Sequence, residues 1–159
     1  VEELQKSAQA SQMKARGAQL TGSRMLSKKQ VVEHLTRRGG NREAAEDTAL
    51  WLEELGAVDE AAYGAAIVRH YSASGYGPGR IREELYRRGV PRDCWDGALE
   101  GLSGPEEAID AFLQKKLRGA ELSDPKVRRR AADALARRGY RWEDISAGLR
   151  RYGAEPEEW

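Results

Sequence analysis

Leu35-Thr36-Arg37-Arg38-Gly39, Leu85-Tyr86-Arg87-Arg88-Gly89 and Leu135-Ala136-Arg137-Arg138-Gly139 are three copies of one pattern, Leu-x-Arg-Arg-Gly, set 50 residues apart. Four residues before each Leu stands an apolar residue, Val31, Ile81 or Ala131. An i, i+4 apolar pair lies on one face of a helix. The Gly then suits the left-handed position just past a helix end. Each copy therefore reads as the last two turns of an amphipathic helix and its stop, and a pattern that recurs at a fixed period predicts a repeat architecture.

Start signals agree with these stops. Ser27-Lys28-Lys29-Gln30 has the form of a capping box, and Ser123-Asp124-Pro125 offers Asp as N-cap with Pro at the first helical position. Gly75-Tyr76-Gly77-Pro78-Gly79 is a turn-rich break before Arg80, where the array is expected to be somewhat flexible. A second helix is expected after each stop, carried by Ala45, Ala49 and Leu52, by Trp95, Ala98, Leu99 and Leu102, and by Ile145, Leu149 and Tyr152. A third follows in the first two copies, opened by Asp59 before Tyr63, Ala66, Ile67 and Tyr71, and by Ser103 and Pro105 before Ile109, Phe112 and Leu113. Ahead of the first copy, roughly 2–20 reads as a further helix with Leu4, Ala8, Ala15 and Ala18 on its apolar side. No segment alternates with period two, so no strand is expected. The predicted fold is all-α: an N-terminal helix (1–25), three-helix repeats at 26–74 and 75–119, a truncated third at 120–152, and an acidic tail at 153–159. Stacked units of this kind are expected to form an elongated array.

Composition excludes several classes. Of 159 residues 40% are hydrophobic, 33% charged and 7% aromatic, too few apolar groups for one thick core. No run approaches the ~18 apolar residues of a membrane helix, and the opening Val1-Glu2-Glu3-Leu4 does not resemble a signal peptide. The chain begins at Val rather than Met, which leaves the natural start of the protein open. A single cysteine, Cys94, allows neither an intrachain disulfide nor a multi-cysteine metal site, and a reducing cytoplasm is the expected compartment. Catalysis finds little support. His34 and His70 lie on different predicted helices outside any metal-ligand spacing, Cys94 sits beside Trp95 on an apolar face, and Gly75-x-Gly77-x-Gly79 lacks the strand and Lys-Ser/Thr of a phosphate loop. No enzyme activity, cofactor or metal is expected.

Charge is near balance, with 27 basic and 26 acidic residues, but unevenly spread. Positions 115–151 hold twelve Lys/Arg and five acids, a local net charge of +7, whereas Glu155, Glu157 and Glu158 make the end acidic. Such an excess attracts a polyanion. A cation near a helix C-terminus is explained by the helix dipole alone, but three Arg pairs at one place in successive units could line a surface. Neighbouring residues differ by about 100° around a helix, so one Arg of each pair is expected to serve the fold and the other a partner. Guanidinium binds phosphate or carboxylate through two parallel bonds.

The stretch Gly75-Tyr76-Gly77-Pro78-Gly79-Arg80-Ile81-Arg82-Glu83-Glu84-Leu85-Tyr86-Arg87-Arg88-Gly89-Val90 resembles the central motif of the bacterial RecX regulatory proteins. Leu52–Tyr63 is similar to a second family segment, with Glu60 and Tyr63 as conservative replacements, and Arg137–Ile145 to the third-repeat motif. The resemblance spans about 20–152. It departs from the family pattern at Gly40, an added residue, and at the small Ala57 and Gly64. It implies an all-helical, crescent-like array of three-helix repeats and a regulator, mostly an inhibitor, of the RecA recombinase. Such proteins bind the groove of the RecA–single-stranded DNA filament and restrain its growth, ATP hydrolysis, strand exchange and coprotease activity. No catalytic residues carry over.

The expected partners are thus the RecA nucleoprotein filament and, as an auxiliary contact, single-stranded DNA, with the protein a monomer. The candidate binding residues are Arg37, Arg38, Arg80, Arg82, Arg87, Arg88, Lys126, Arg128, Arg129, Arg130, Arg137, Arg138 and Arg141. The alternative is a helical-repeat DNA- or RNA-binding protein acting without RecA. Against it, no repeat exposes an evident run of base-reading Asn, Gln and Arg.

Overall fold

A computed structural model of the chain describes residues 1–37, 39–118 and 123–153. The helices are α1 (Glu2–Ser23), α2 (Lys28–Thr36), α3 (Arg42–Glu54), α4 (Glu60–Ala73), α5 (Pro78–Arg87), α6 (Trp95–Leu99) behind a 3-10 turn at Arg92–Cys94, α7 (Pro105–Lys116), α8 (Pro125–Arg137) and α9 (Trp142–Tyr152). Among the described residues there is no strand.

The repeated pattern does what its spacing predicts. Leu35, Leu85 and Leu135 are all fully buried, and so, within 2%, are Val31, Ile81 and Ala131 one turn earlier. Burying a Leu removes enough apolar surface to contribute roughly 1.5–3 kcal/mol. Gly39, Gly89 and Gly139 take φ of +85°, +77° and +94°, which end α2, α5 and α8. At the other ends, Ser27 accepts from the Gln30 N–H while Gln30 reaches back to the Ser27 N–H, closing the capping box. Asp124 accepts from Lys126 N–H ahead of α8, and Asp59 from Ala62 N–H ahead of α4.

Close contacts divide the chain into two compact units. The first comprises Val1–Ala66 and Leu85–Glu100. Its core gathers Met13 of α1, Val31, Val32 and Leu35 of α2, Ala45, Ala49 and Leu52 of α3, and Val58. Helix α1 is real and slightly longer than expected, but its buried side is not the expected one. Leu4 is 76% exposed and Ala8, Ala15 and Ala18 are exposed too, whereas Met13 and Gly17 are buried and Leu20 is half-buried. The reason is close approach: a Cβ on Gly17 would stand 3.0 Å from both Leu52 Cδ1 and Thr48 Cγ2, so α1 packs on α3 through a residue with no side chain. The second unit comprises Ile67–Glu84 and the described residues from Gly101 on. Its core joins Ile109, Leu113 and Leu117, Ala131 and Leu135 of α8, Tyr140, and Ile145 and Leu149 of α9.

In the first unit Lys28, the first residue of α2, stands between two carboxylates. Its Nζ lies 2.8 Å from Glu53 and 3.2 Å from Glu60, and its backbone N–H donates to the buried Glu60. The Glu53 hydrogen bond, assisted by Glu60, raises the Lys28 pKa above its ordinary 10.5 despite partial desolvation. A cation with a raised folded pKa stabilises fully below its unfolded value and loses that contribution as pH climbs through the folded value. Stability should therefore fall above about pH 10.5, and Glu53→Gln should flatten that fall. Urea midpoints at pH 9 and pH 11.5 for both proteins check this; parallel losses would show the pair to be inert.

Candidate functional site

The Arg-Arg-Gly turns are joints. In the first unit the Ser27 hydroxyl, at the start of α2, donates to the Arg88 carbonyl at 2.5 Å, and Gly89 lies against the Cβ of Lys29. The Arg88 guanidinium donates to the Tyr63 hydroxyl at 3.4 Å, and the Trp95 indole donates to Val90 O at 2.8 Å, which fixes α6 behind the turn. In the second unit the start of α5 plays the part of Ser27. Gly77 N–H donates to Arg138 O at 2.7 Å, Gly79 N–H to Gly139 O at 2.9 Å, and the buried Tyr140 hydroxyl to Gly75 O at 2.9 Å. The Arg138 guanidinium donates to Ser74 O and lies over the Tyr76 and Phe112 rings.

The bonds to the Arg88, Arg138 and Gly139 carbonyls share one physical cause. The first amides of a helix and its last carbonyls have no partner within the helix. At the second joint the orphan amides opening α5 meet the carbonyls that follow α8, so a positive helix end faces a negative one. Desolvation at this joint pushes the Tyr140 phenol pKa above its ordinary value. The turn-rich Gly75–Gly79 forms a seat: Gly77 is buried and a Cβ on it would stand 2.7 Å from the Gly139 carbonyl carbon. By contrast, the first-copy Gly39 has nothing within 4 Å of where a Cβ would stand.

The joints sort the candidate residues. Arg88 and Arg138, the second members of their pairs, are half-buried and committed to the fold, while Arg37, Arg87 and Arg137, the first members, are exposed. Arg38 lies outside the described residues, as do Glu155, Glu157 and Glu158 of the acidic tail. Arg80 is half-buried, with Nη1 3.6 Å from Glu83 and its guanidinium over Tyr76. Arg82, Lys126, Arg129, Arg130 and Arg141 are exposed. Arg128 departs from the surface expectation. It is 3% exposed, because its place on α8 turns it inward on the face that buries Ala131 and Leu135. A run of three arginines cannot all face out from one helix. Lys126, Arg130 and Arg137 recur at helical spacing along one outward stripe of α8, with exposed Asp133 between them. Arg151 is also withdrawn from the local excess by Asp110, which accepts two of its N–H bonds at 2.9 and 3.1 Å. Sequence reasoning missed Ser27, Gly77 and Tyr140 as joint residues. The available signal was the repeat itself, since a turn kept at a fixed spacing can be a place where copies meet.

The architecture defines a class: helical proteins built from small three-helix domains. Residues 59–99 match the RecX second three-helix domain and residues 105–149 the RecX third three-helix domain. The chain is 38% identical over 112 residues to regulatory protein RecX of Pseudomonas putida, an alignment covering 70% of this chain and 72% of that one. It is 35% identical over 126 residues to that of Xanthomonas axonopodis pv. citri, covering 78% and 77%. The crystal structure of RecX from Lactobacillus salivarius superposes with a TM-score of 0.81 at 15% identity, covering 91% of this chain and 97% of that one. A second regulatory protein RecX structure gives a TM-score of 0.83 at 19% identity, covering 94% and 77%. The chain belongs to the RecX family of regulatory proteins.

No helix among the described residues is long and apolar enough to cross a membrane.

Proposed function

We propose that the protein regulates the RecA recombinase, mostly as an inhibitor, by binding the RecA–single-stranded DNA filament. Bound there, it restrains filament growth, ATP hydrolysis, strand exchange and coprotease activity. It acts as a monomer in the cytoplasm, without cofactor or catalysis of its own, and single-stranded DNA is an auxiliary contact. The observation that carries this reading is family membership, at 38% identity to a regulatory RecX. The repeats at 26–74 and 75–119 and the truncated one at 120–152 supply several spaced contacts rather than one pocket, and linked weak contacts gain strength on a regular filament whose spacing they match. The exposed arginines Arg37, Arg82, Arg87, Arg129, Arg130, Arg137 and Arg141 with Lys126 are the contacts proposed.

The test is the ATPase of preformed RecA filaments titrated with this protein, with and without extra single-stranded DNA. Inhibition at amounts well below one per RecA monomer, persisting when DNA is added, is expected. No inhibition, or inhibition relieved in proportion to added DNA, would favour the DNA- or RNA-binding reading without RecA. Arg87→Glu is the informative charge reversal and should weaken inhibition. Arg88 is unsuitable because its main chain and guanidinium belong to a joint.

A further inference from the structure

In the first unit, α1 and α2 border a cleft of about 470 Å³ lined by Arg16, Gln19, Leu20, Ser23, His34 and Arg37. No carboxylate is among these lining residues. A third guanidinium, Arg24, closes on the same histidine with Nη2 2.7 Å from His34 Nε2. None of Arg16, Arg24 and Arg37 forms a salt bridge with a described residue. In a chain with nearly as many acids as bases, a cleft lined by Arg16 and Arg37 and no carboxylate, with Arg24 bonded to its histidine, is suited to an external anion.

The hydrogen bond fixes the state of the ring. A guanidinium has no lone pair to offer, so His34 Nε2 accepts and the proton sits on Nδ1. The imidazole is therefore neutral. Partial burial, then the charges of Arg24 and Arg37, hold its pKa below the ordinary 6.5, with only Glu33 pulling it up. From α1 and its end the charged groups facing this region are Arg16 and Arg24; from α2 they are Glu33 and Arg37.

We propose that this cleft binds a phosphate group. The guanidinium forks match its oxygens in pairs. The Ser23 hydroxyl and the Gln19 amide offer further donors, and Leu20 forms an apolar wall. With the anion seated, the Arg24 and Arg37 charges, which add to burial in holding the His34 pKa down, are offset by a close negative charge. The ring takes up a proton and turns from acceptor into a further donor. A site whose histidine has a higher pKa when occupied binds more tightly as pH falls through that value. The phosphate can be a phosphodiester of a nucleic-acid strand or a phosphate monoester, and the two share this chemistry. Bound to a strand, the cleft rests on the single-stranded DNA contact proposed above, to which Arg37 belongs; the test uses no RecA, so its failure is separate from that of RecA regulation.

The experiment follows the ring signals of His34 and His70 by NMR across a pH titration of the whole chain. His70, exposed on α4, is the internal reference. The additions are inorganic phosphate, thymidine 5′-monophosphate, an oligothymidylate without terminal phosphates, and sodium chloride at matched ionic strength. Phosphate binding should raise the His34 midpoint by about one pH unit, the size expected of a close charge, and leave His70 in place. A rise with the oligonucleotide assigns a strand phosphodiester. A rise with inorganic phosphate or the mononucleotide alone assigns a monoester. The variant with Arg16→Gln and Arg37→Gln, its helix content checked by circular dichroism, should lose the effect. The proposal is overturned if no addition moves His34, if chloride moves it equally, if His70 follows it, or if the double variant keeps it.

Discussion

Gly139→Ala should lower the stability of the protein by about 2–5 kcal/mol. Two costs combine. At φ +94° an L side chain is strained, worth roughly 1–2 kcal/mol. The new Cβ would also overlap the backbone of Arg80, including its amide nitrogen, which cannot rotate away. Forcing an extra carbon into a filled site costs about 1–3 kcal/mol. Gly89→Ala should cost less, since the Cβ meets the side chain of Lys29 and the hydroxyl of Ser27 rather than main chain. Gly39→Ala meets nothing within 4 Å and carries the φ cost alone. The order of damage is Gly139, then Gly89, then Gly39, read from urea midpoints. With a slope near 2 kcal/mol/M, the first should move the midpoint by about 1–2.5 M and the last by under ~1 M. Equal losses at the three glycines would mean that each turn only ends its helix and that no joint is formed.

Replacing Arg129 and Arg130 together by Ala should weaken binding to single-stranded DNA, on the reading proposed above, by about tenfold at 0.15 M salt. Each phosphate neutralised on a single strand adds about 0.7 to the slope of log affinity against log salt, so the slope should drop by about 1.4. Arg128→Ala should behave differently. That side chain is 3% exposed, so its loss should appear in the urea midpoint and leave the salt slope alone. Binding by fluorescence anisotropy at several salt concentrations separates the two. An unchanged slope in the Arg129, Arg130 variant, with its fold intact, would return the pair to ordinary solvated surface. A slope lowered by Arg128→Ala without loss of stability would mean that the residue reaches solvent after all.

Helix starts and stops were legible in the residues because their causes are local. A capping box at Ser27, an Asp-Pro at 124–125 and a Gly after each Arg pair act over a few residues, and each performs in the structure as its chemistry requires. The buried pair of each first helix was legible for the same reason, through a four-residue spacing. What was not legible depends on approach between segments distant in the chain. The buried side of α1 is hidden because Gly17 packs by having no side chain. The inward turn of Arg128 is hidden because three adjacent arginines look alike until the helix face is fixed by its neighbours. The second joint is hidden because its main bonds run between peptide groups, which every residue carries. The cleft around His34 joins Arg16 and Ser23 to Arg37 across two helices, and no short motif links them.

The bonds at the second joint, Gly77 N–H to Arg138 O and Gly79 N–H to Gly139 O, hold no memory of which amino acids supply them. A lineage can exchange Arg138 for another residue and keep both. Positions where a side chain would intrude on main chain, Gly77 and Gly139 foremost, are barred from change by the docking itself. Mutational drift in such a protein is therefore cheap over most of its surface and steep at a few small residues. An inserted residue is another matter: one added between Gly79 and Gly139 must be absorbed in a connecting loop, or it pulls the amides off their carbonyls. The architecture tolerates spelling changes and resists changes of metre.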